Sequence, residues 1–542
     1  MKIGLLVNNI EKLENWKLRI VTYLLNEPNI DLVLLLKNVN DDEYNCNPNP
    51  FKTPRFFGVA ISMLFKIQKR VEAIVYKPIN SVDKNTILAK LKKVETVDLI
   101  AISPENSFTN SAVEIIKSLK LDLILQSDFS HLKGSILNAA TYGIWSLRNN
   151  NYFLKENTWF GLEEIVNRKD GVEVTLEKCV NTNEDRICID KAFFNSTTSF
   201  FKTQATILES SVSLVVKNID SILKGQELVT TSFKVNKVET ISLLRYFFDY
   251  YKSLFNRVYE KVSYSLFGTR YNCWALFMGT GDFLEAKLES IVPVKLPKNE
   301  FWADPFLLKH ENELYVFFEN YEYDRALGKI SCAKIVNGEV MPATDVLVKD
   351  YHLSYPFIFK EGDELFLMPE TSQNNRLEIY RCTGFPNKWE LYKTAFEGER
   401  IVDTTLYTDK DGIKWLFLNK SVDPNVSFAN ELFIYQISSS LKTLNLIPHE
   451  QNPVLIDASV ARNGGGIFKN NGRLYRPSQA NIQGVYGRAL NINEISVLTI
   501  ERYEEQTIKR ISPNFNSGLK AMHHLHQIED YFVFDASYAV YR

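Results

Sequence analysis

The sequence predicts two domains of different class: an α/β domain of Rossmann type over residues 1–225 and an all-β five-bladed propeller over 271–542, with a helical linker at 226–270. Three observations predict this. At 542 residues the chain exceeds what one hydrophobic core normally serves. Up to residue 225 short apolar runs alternate with stretches of helical periodicity, the pattern of a parallel sheet with covering helices. From residue 271 the helical texture stops, and hairpin-like strand pairs recur about every 50 residues, the length of a four-stranded blade.

In the first domain "KIGLLVNN", "IDLVLLLKN", "VDLIAISP" and "LDLILQSD" read as buried parallel strands, bounded by polar or helical segments such as "SAVEIIKSLK". The N-terminal run Ile3–Val7 stops at two asparagines, which suits a first strand and not a signal peptide. No apolar run approaches the ~20 residues of a membrane span. Residues 240–266, "TISLLRYFFDYYKSLFNRVYEKVSYSL", carry apolar and aromatic side chains at helical spacing among Lys and Arg. Two readings stand: a helix packed between domains, which is the expected one, and an amphipathic helix making peripheral membrane contact. Residues 56–76 have the same character.

The propeller repeats are "FWADPFLLKHENELYVFFEN", "SYPFIFKEGDELFLMPET", "VDTTLYTDKDGIKWLFLNK", "IDASVARNGGGIFKNNGRLYRPSQ" and "AMHHLHQIEDYFVFDAS", starting near 301, 354, 402, 456 and 521. Each is an apolar strand, a polar turn and a second apolar strand, as in a hairpin. The segment "NCWALFMGTG" (272–281) precedes the first copy and is placed to give the last blade a strand, closing the ring.

Composition narrows the partners. With 45% hydrophobic and 24% charged residues and a net charge of -2, the chain is ordinary soluble globular protein with no field that would draw nucleic acid. Its six cysteines show no CxxC spacing and are too sparse for a disulfide framework, which favours a reducing, cytoplasmic setting.

Recurrent polar residues at the start of innermost strands converge on one mouth of a propeller. Asp304 ("WADPF"), Tyr355 ("SYPFIF"), Asp403 ("VDTTLY") and Asp457 ("IDASVA") take equivalent places in the repeat, and Glu319 and Glu370 end the second strands of blades one and two. Crowded carboxylates repel unless a proton, a metal or a ligand intervenes. Arg462, Arg476 and Gln479 add donors, a mixture suited to a sugar-phosphate, because guanidinium grips phosphate while carboxylates accept from hydroxyls. In "MHHLHQ", His524 and His526 share a strand face with His523 opposite. With no clear third ligand in the sequence, sugar binding or packing is expected of this pair and no metal.

These motifs carry two resemblances. The propeller half resembles glycoside hydrolase family 43. Through "FWADPFLL", "LSYPFIF", "LFLMPE", "NPVLIDASVARNGGGIF", "GRLYRPSQ" and "VYGRAL" it resembles still more the propeller domain of glucosamine inositolphosphorylceramide transferases. The first resemblance implies Asp304 as base, Glu370 as acid and Asp403 as the residue tuning that acid. Glu319, Tyr355, Asp457, Arg462, Arg476, Gln479 and His524 would then bind substrate. Together the resemblances imply a sugar, sugar-phosphate or glycolipid partner in bacterial surface-glycan or glycolipid assembly. The plant-type transferase domain itself has no counterpart here.

In the first half, "LDLILQSDFSHLKGSILNAATYGIWSLRNNN" resembles the formyltransferase family, which implies an Asn, a His and a later Asp acting with N10-formyltetrahydrofolate. Ser146 stands at the Asn position, Arg148 at the His position and Asp185, after "GVEVTLEKCV", at the Asp position. Arginine stays charged and cannot act as a base. His131 is the only histidine before residue 310, and it precedes the Tyr-Gly strand. The expectation is therefore a degenerate formyltransferase-like domain without cofactor, attached to a propeller that binds and transforms a glycosyl group. A working sugar N-formyltransferase and a non-enzymatic glycan-binding scaffold are the alternatives.

Overall fold

The computed structural model describes every residue except 38–62, 73–81, 100, 103–106, 127–131, 151, 155–158, 182–184, 235–241, 421–429, 438–439 and 542. Internal contacts divide the chain into two units, Met1–Tyr250 and Tyr251–Arg542.

The four apolar runs of the first unit become neighbours in a nine-stranded sheet. Five of its strands, in the order Ile144–Asn149, Leu123–Gln126, Lys2–Val7, Asp31–Lys37 and, at the edge, Glu95–Leu99, are all parallel. The near-continuous apolar composition of Leu123–Gln126, Lys2–Val7 and Asp31–Lys37 follows from burial on both faces, whereas Glu95–Leu99, at the edge of the sheet, is largely exposed. The sheet as a whole is mixed, because Val172–Lys178, Asp185–Phe194 and Thr231–Lys234 extend one side with antiparallel pairing. Thr231–Lys234 also carries this unit past residue 225, so the start of the segment expected to be a linker completes the sheet. The helix Phe200–Leu223 begins where the Ser199 hydroxyl accepts from the Lys202 N–H, and it buries the face containing Ile207, Leu208, Leu214 and Val215.

The helix Leu243–Phe267 does not bury its aromatic spacing. Leu243, Tyr246 and Phe247 pack with Phe65, Leu162 and Phe200, but beyond that turn the large apolar side chains are exposed. Of the similar stretch 56–76, residues 63–72 are helical and the rest lies outside the described residues. Among the described residues no helix is long and apolar enough to cross a membrane.

The second unit is a five-bladed propeller. Its five antiparallel sheets open with the innermost strands Glu300–His310, Ser354–Glu361, Ile401–Thr408, Phe468–Asn470 and the pair Leu519–Ala521 and Leu525–Ile528. Neighbouring innermost strands touch around a closed ring. Blades one and two, two and three, and five and one meet directly. Asn463 Nδ2 donates to the Asp403 carbonyl between blades three and four, and Gly465 bridges Leu525 between four and five. The last blade is completed by Arg270–Thr280, which pairs with Tyr531–Tyr541 from Arg270↔Tyr541 to Thr280↔Tyr531. The chain's first propeller strand thus closes against its last, as the position of "NCWALFMGTG" predicts.

Blade four begins later than expected. Leu455–Ile456 pairs with Glu431–Ile437 at the outside of blade three, and the innermost strand of blade four starts at Phe468. Blades one to three share one irregularity. The pairing slips between Ala303 and Phe306, between Ser354 and Phe357 and between Val402 and Thr405, each time inserting a bulge. The residues at these bulges, Asp304, Tyr355 and Asp403, have φ of 50°, 45° and 48°. Left-handed backbone costs a non-glycine residue about 1–2 kcal/mol. Three repeats of that cost at one level of the ring mark the level as special.

Candidate active site

The bulges set the site. Each interrupts the in-out alternation of an innermost strand and presents its residue at the same level of the ring. The second strand of each blade supplies the residue opposite. Ala303 pairs with Glu319 and Ser354 with Glu370, while Val402 pairs with Asn419 and Asn463 with Ser478. In blade five the corresponding residue is Asp535, whose N–H donates to the His524 carbonyl.

Asp304 is the hub. Its Oδ2 accepts from the Tyr355 N–H at 3.1 Å, and its own N–H donates to Asp535 Oδ2 at 2.9 Å. His523 Nε2 stands 3.5 Å and His524 Nδ1 3.6 Å from Asp304 Oδ1, beyond normal hydrogen-bond length, so their influence on it is chiefly electrostatic. Burial works against the charge of Asp304. The imidazoles of His524 and His523, with the Arg462 guanidinium, outweigh burial and hold the carboxyl at about 2. Asp535 is fully buried, and its Oδ1 takes His523 Nδ1 at 2.7 Å and the His524 N–H at 3.0 Å. Burial opposes a charged His523, yet the adjoining Asp535 and Asp304 raise its pKa. Its ring stacks on Trp274 at 3.9 Å.

Opposite this ionised side stands a protonated one. Burial first, then the neighbouring Asp403, raise Glu370 to about 8 against the pull of Arg462 and a 2.7 Å hydrogen bond from the Ser372 hydroxyl. Glu319 is raised well above the usual carboxylate range, by burial and then by Asp304 and Glu370. Its partner is His352, whose Nδ1 accepts from the Gly328 N–H at 2.9 Å. That bond leaves the proton of neutral His352 on Nε2, 3.3 Å from Glu319 Oε1. Asp403 is ion-paired: its Oδ2 receives Arg462 Nε at 2.5 Å and Gln479 Nε2 at 3.0 Å. Arg462 also reaches to 3.9 Å from Glu370 Oε2, and the ring of Tyr486, 41% exposed, lies 5.0 Å from its guanidinium carbon.

Asp304, Glu319, Glu370, Asp403, Arg462, Gln479 and His524 are thereby brought together, and three other expected residues have different surroundings. Tyr355 is buried as a strut, its hydroxyl contacting Thr405 Oγ1 at 2.8 Å and accepting from the Gly465 N–H at 3.0 Å. Asp457 lies in the turn after Leu455–Ile456, where Oδ1 accepts from the Ser459 N–H at 2.7 Å and hydroxyl at 2.6 Å. The bulge level of blade four is instead the glycine run Gly464–Gly466. Arg476, expected to meet phosphate, is fully buried: it pairs with both Glu505 oxygens at 2.8 and 2.5 Å and donates to Val460 O, Ala461 O and Asn463 Oδ1. No donor of that guanidinium is left for a ligand. His526 shares the Phe306 ring contact with His524, but its Nδ1 accepts from the Leu307 N–H and burial lowers it to about 3.

Sequence reasoning missed Asp535 and named His523 without giving it a role in the site. The signal was present, since "FVFDAS" repeats the strand-ending acid of "VFFEN" and "LMPET". Asp304, His523 and Asp535 also form the one group among the described residues with metal-ligand spacing. Both Asp535 oxygens already serve N–H donors, which suits a shared proton better than a cation.

In the first unit Arg148 is buried, 3.6 Å from Glu177 Oε2, with its guanidinium 3.7 Å over the Phe153 ring. Burial and the nearby Arg186 lower it to about 10 despite Glu177. Ser146 is buried with its hydroxyl 3.6 Å from Cys179 Sγ. Asp185 opens the strand paired with Thr231–Lys234, and its side chain lies outside the described residues.

Residues 289–528, wholly within the propeller, match the family described as "Glucosamine inositolphosphorylceramide transferase 1, N-terminal". The protein named glucosamine inositolphosphorylceramide transferase 1 from Oryza sativa subsp. japonica is 36% identical over 213 residues, which is 39% of this chain and 28% of that one. Its Arabidopsis thaliana namesake is 35% identical over 214 residues, 39% of this chain and 27% of that one. The chain therefore spans under a third of the relatives' length. Among solved structures, a thermostable family-43 glycoside hydrolase has a TM-score of 0.33 at 12% identity, covering 44% of this chain and 88% of that one. Bombyx mori GH32 beta-fructofuranosidase has a TM-score of 0.31 at 14% identity, covering 40% and 53%. The five blades rest on the strand pairing itself and not on these two likenesses.

Proposed function

We propose that the propeller is a carbohydrate-active module that binds a glycosyl group at the Asp304–Glu370–Asp403 cluster and cleaves or transfers it. The observation that carries this is the split of protonation: Asp304 is held ionised at about 2 and Glu370 protonated up to about 8 within one buried cluster. Paired acid and base at neutral pH is what breaking a glycosidic bond requires. In this reading Glu370 protonates the leaving oxygen and Asp304 activates or positions the nucleophile. Asp403, tied to Arg462, stands beside Glu370 and favours the proton remaining there. Arg462 and Tyr486 then lie where a sugar-phosphate would be gripped and stacked.

The substrate proposed is a glycolipid headgroup or its sugar-phosphate, handled in glycolipid or surface-glycan assembly in a reducing compartment such as the cytoplasm. Supporting the lipid side is the similarity to proteins named for inositolphosphorylceramide. Supporting the compartment are five described cysteines, all free.

The first unit we read as a Rossmann-type domain whose formyltransferase-like site is degenerate. Its five parallel strands support the first part. Arg148, buried against Glu177 where a proton-exchanging histidine would be needed, supports the second.

The test uses the full chain with glycosyl inositol-phosphate lipids and chromogenic glycosides. Asp304→Asn and Glu370→Gln should each cut turnover about 10²–10⁴-fold, the usual worth of general acid-base catalysis, while leaving the fold intact by circular dichroism. Wild-type turnover in both variants would sink the catalytic reading. Ligand binding by calorimetry without any turnover would favour the scaffold instead.

A further inference from the structure

The helix Leu243–Phe267 carries a row of large apolar side chains that the fold leaves in water. Leu244, Phe255, Val258, Tyr259, Val262 and Leu266 are each between 48 and 76% exposed. At 3.6 residues per turn they fall within one arc about 100° wide, along a helix about 37 Å long. The row is therefore a continuous stripe and not a scatter of single exposed residues.

Its borders are basic. Arg245 and Lys252 follow one edge of the arc, Lys261 lies beyond the other, and Arg257 is on the polar side, all four exposed. Two acids oppose them, and one, Asp249, is already paired with Arg168 at 2.9 Å. Tyr259 stands at the basic edge, where a ring with a polar end suits a water–apolar boundary.

A second helix adds to this surface within the first unit. Residues 63–72 pack on the start of the long helix, with Phe65 5.5 Å from Tyr246 and 5.0 Å from Phe247. Met63, Ile67 and Val71 are exposed beside the equally exposed Lys66 and Arg70. Laying a second copy of the chain along the stripe would bring the basic borders of both copies together. Anionic headgroups would neutralise them.

We propose that the helix Leu243–Phe267 lies in the headgroup region of an anionic lipid bilayer, with its apolar stripe inward and its basic borders on lipid phosphates. The chain is held on the membrane surface without crossing it. This rests on the helix's own residues and stands or falls apart from the reading of the propeller.

The test is co-sedimentation of the full chain with vesicles of phosphatidylcholine alone and of phosphatidylcholine with phosphatidylserine. The wild-type chain should sediment with the anionic vesicles, far less with neutral ones, and less as salt rises. The pair Phe255→Asp and Leu266→Asp should lower partitioning at least about tenfold, and Arg245→Glu with Lys252→Glu by a similar factor. These positions are exposed, so unchanged thermal melting should accompany the loss. The proposal is overturned if the wild type does not sediment, or if neither pair of substitutions changes its sedimentation. It is equally overturned if light scattering shows a dimer that the apolar pair dissociates while vesicles bind nothing, which would assign the stripe to a second copy.

Discussion

Glu370 and Asp304 are both carboxyls, yet their surroundings set them apart by roughly six powers of ten in proton affinity, from about 8 to about 2. For Glu370 the folded pKa is raised above the ~4.3 of an unfolded glutamate, so the folded state holds its proton longer. Its contribution to stability is full below ~4.3 and is lost as pH rises through about 8. Wild-type melting temperature should fall across that window more than that of Glu370→Gln. Turnover should show an alkaline limb near pH 8, and a profile flat through that region would exclude Glu370 as the acid. Arg476 teaches the opposite lesson. Its sequence context gave no hint that Glu505, 29 residues away, would take it. Arg476→Ala should destabilise by about 3–5 kcal/mol, because it leaves Glu505 buried without its charge partner, and should leave ligand affinity per folded molecule unchanged. Denaturant unfolding beside calorimetry separates the two effects, and a normal midpoint with lost affinity would restore Arg476 to the binding site.

At the scale of elements, what could be read from the sequence was what repeats. The strand-turn-strand period placed the innermost strands of blades one, two and three within a residue of their observed starts, and with them Asp304, Tyr355, Asp403, Glu319 and Glu370. Blade four was misread because its bulge level carries no side chain. Gly465 has φ of 128°, and a Cβ there would stand 1.7 Å from the Leu525 carbonyl oxygen. Close backbone approach to the next blade selects glycine, and glycine erases the apolar alternation that marks a strand. The nearby "IDASVA" then looked like the missing copy, and Asp457 was placed at the ring although it shapes a turn. The helix Leu243–Phe267 was visible by period, but period alone does not say what an apolar face meets. In the first unit the parallel strands were legible from composition, whereas the antiparallel extension by Thr231–Lys234 was not, since four residues carry too short a pattern.

For the whole molecule, the decisive joint of the second unit is the meeting of its ends. Arg270–Thr280 contributes Cys273, Ala275, Leu276 and Phe277 to the core, all fully buried, and its partner Tyr531–Tyr541 contributes Phe532, Val533, Phe534 and Ala536. This places residues from both ends of the unit in one sheet, so the ring cannot be complete until Tyr531–Tyr541 has been made. Without the first strand, Tyr531–Tyr541 would keep one row of backbone groups unpaired, a template for pairing with other chains. Phe534 would also lose the ring of Phe277, which stacks on it at 5.1 Å. A fragment of residues 268–542 should therefore be soluble and unfold cooperatively as an all-β domain, and one of residues 282–542 should aggregate or unfold without a sharp transition. Far-UV circular dichroism melts and size-exclusion profiles of the two fragments test this directly. Equal stability in both would mean that the ring holds without its closing strand, and that the propeller is secured by contacts between innermost strands around Asp304 and Gly465 instead.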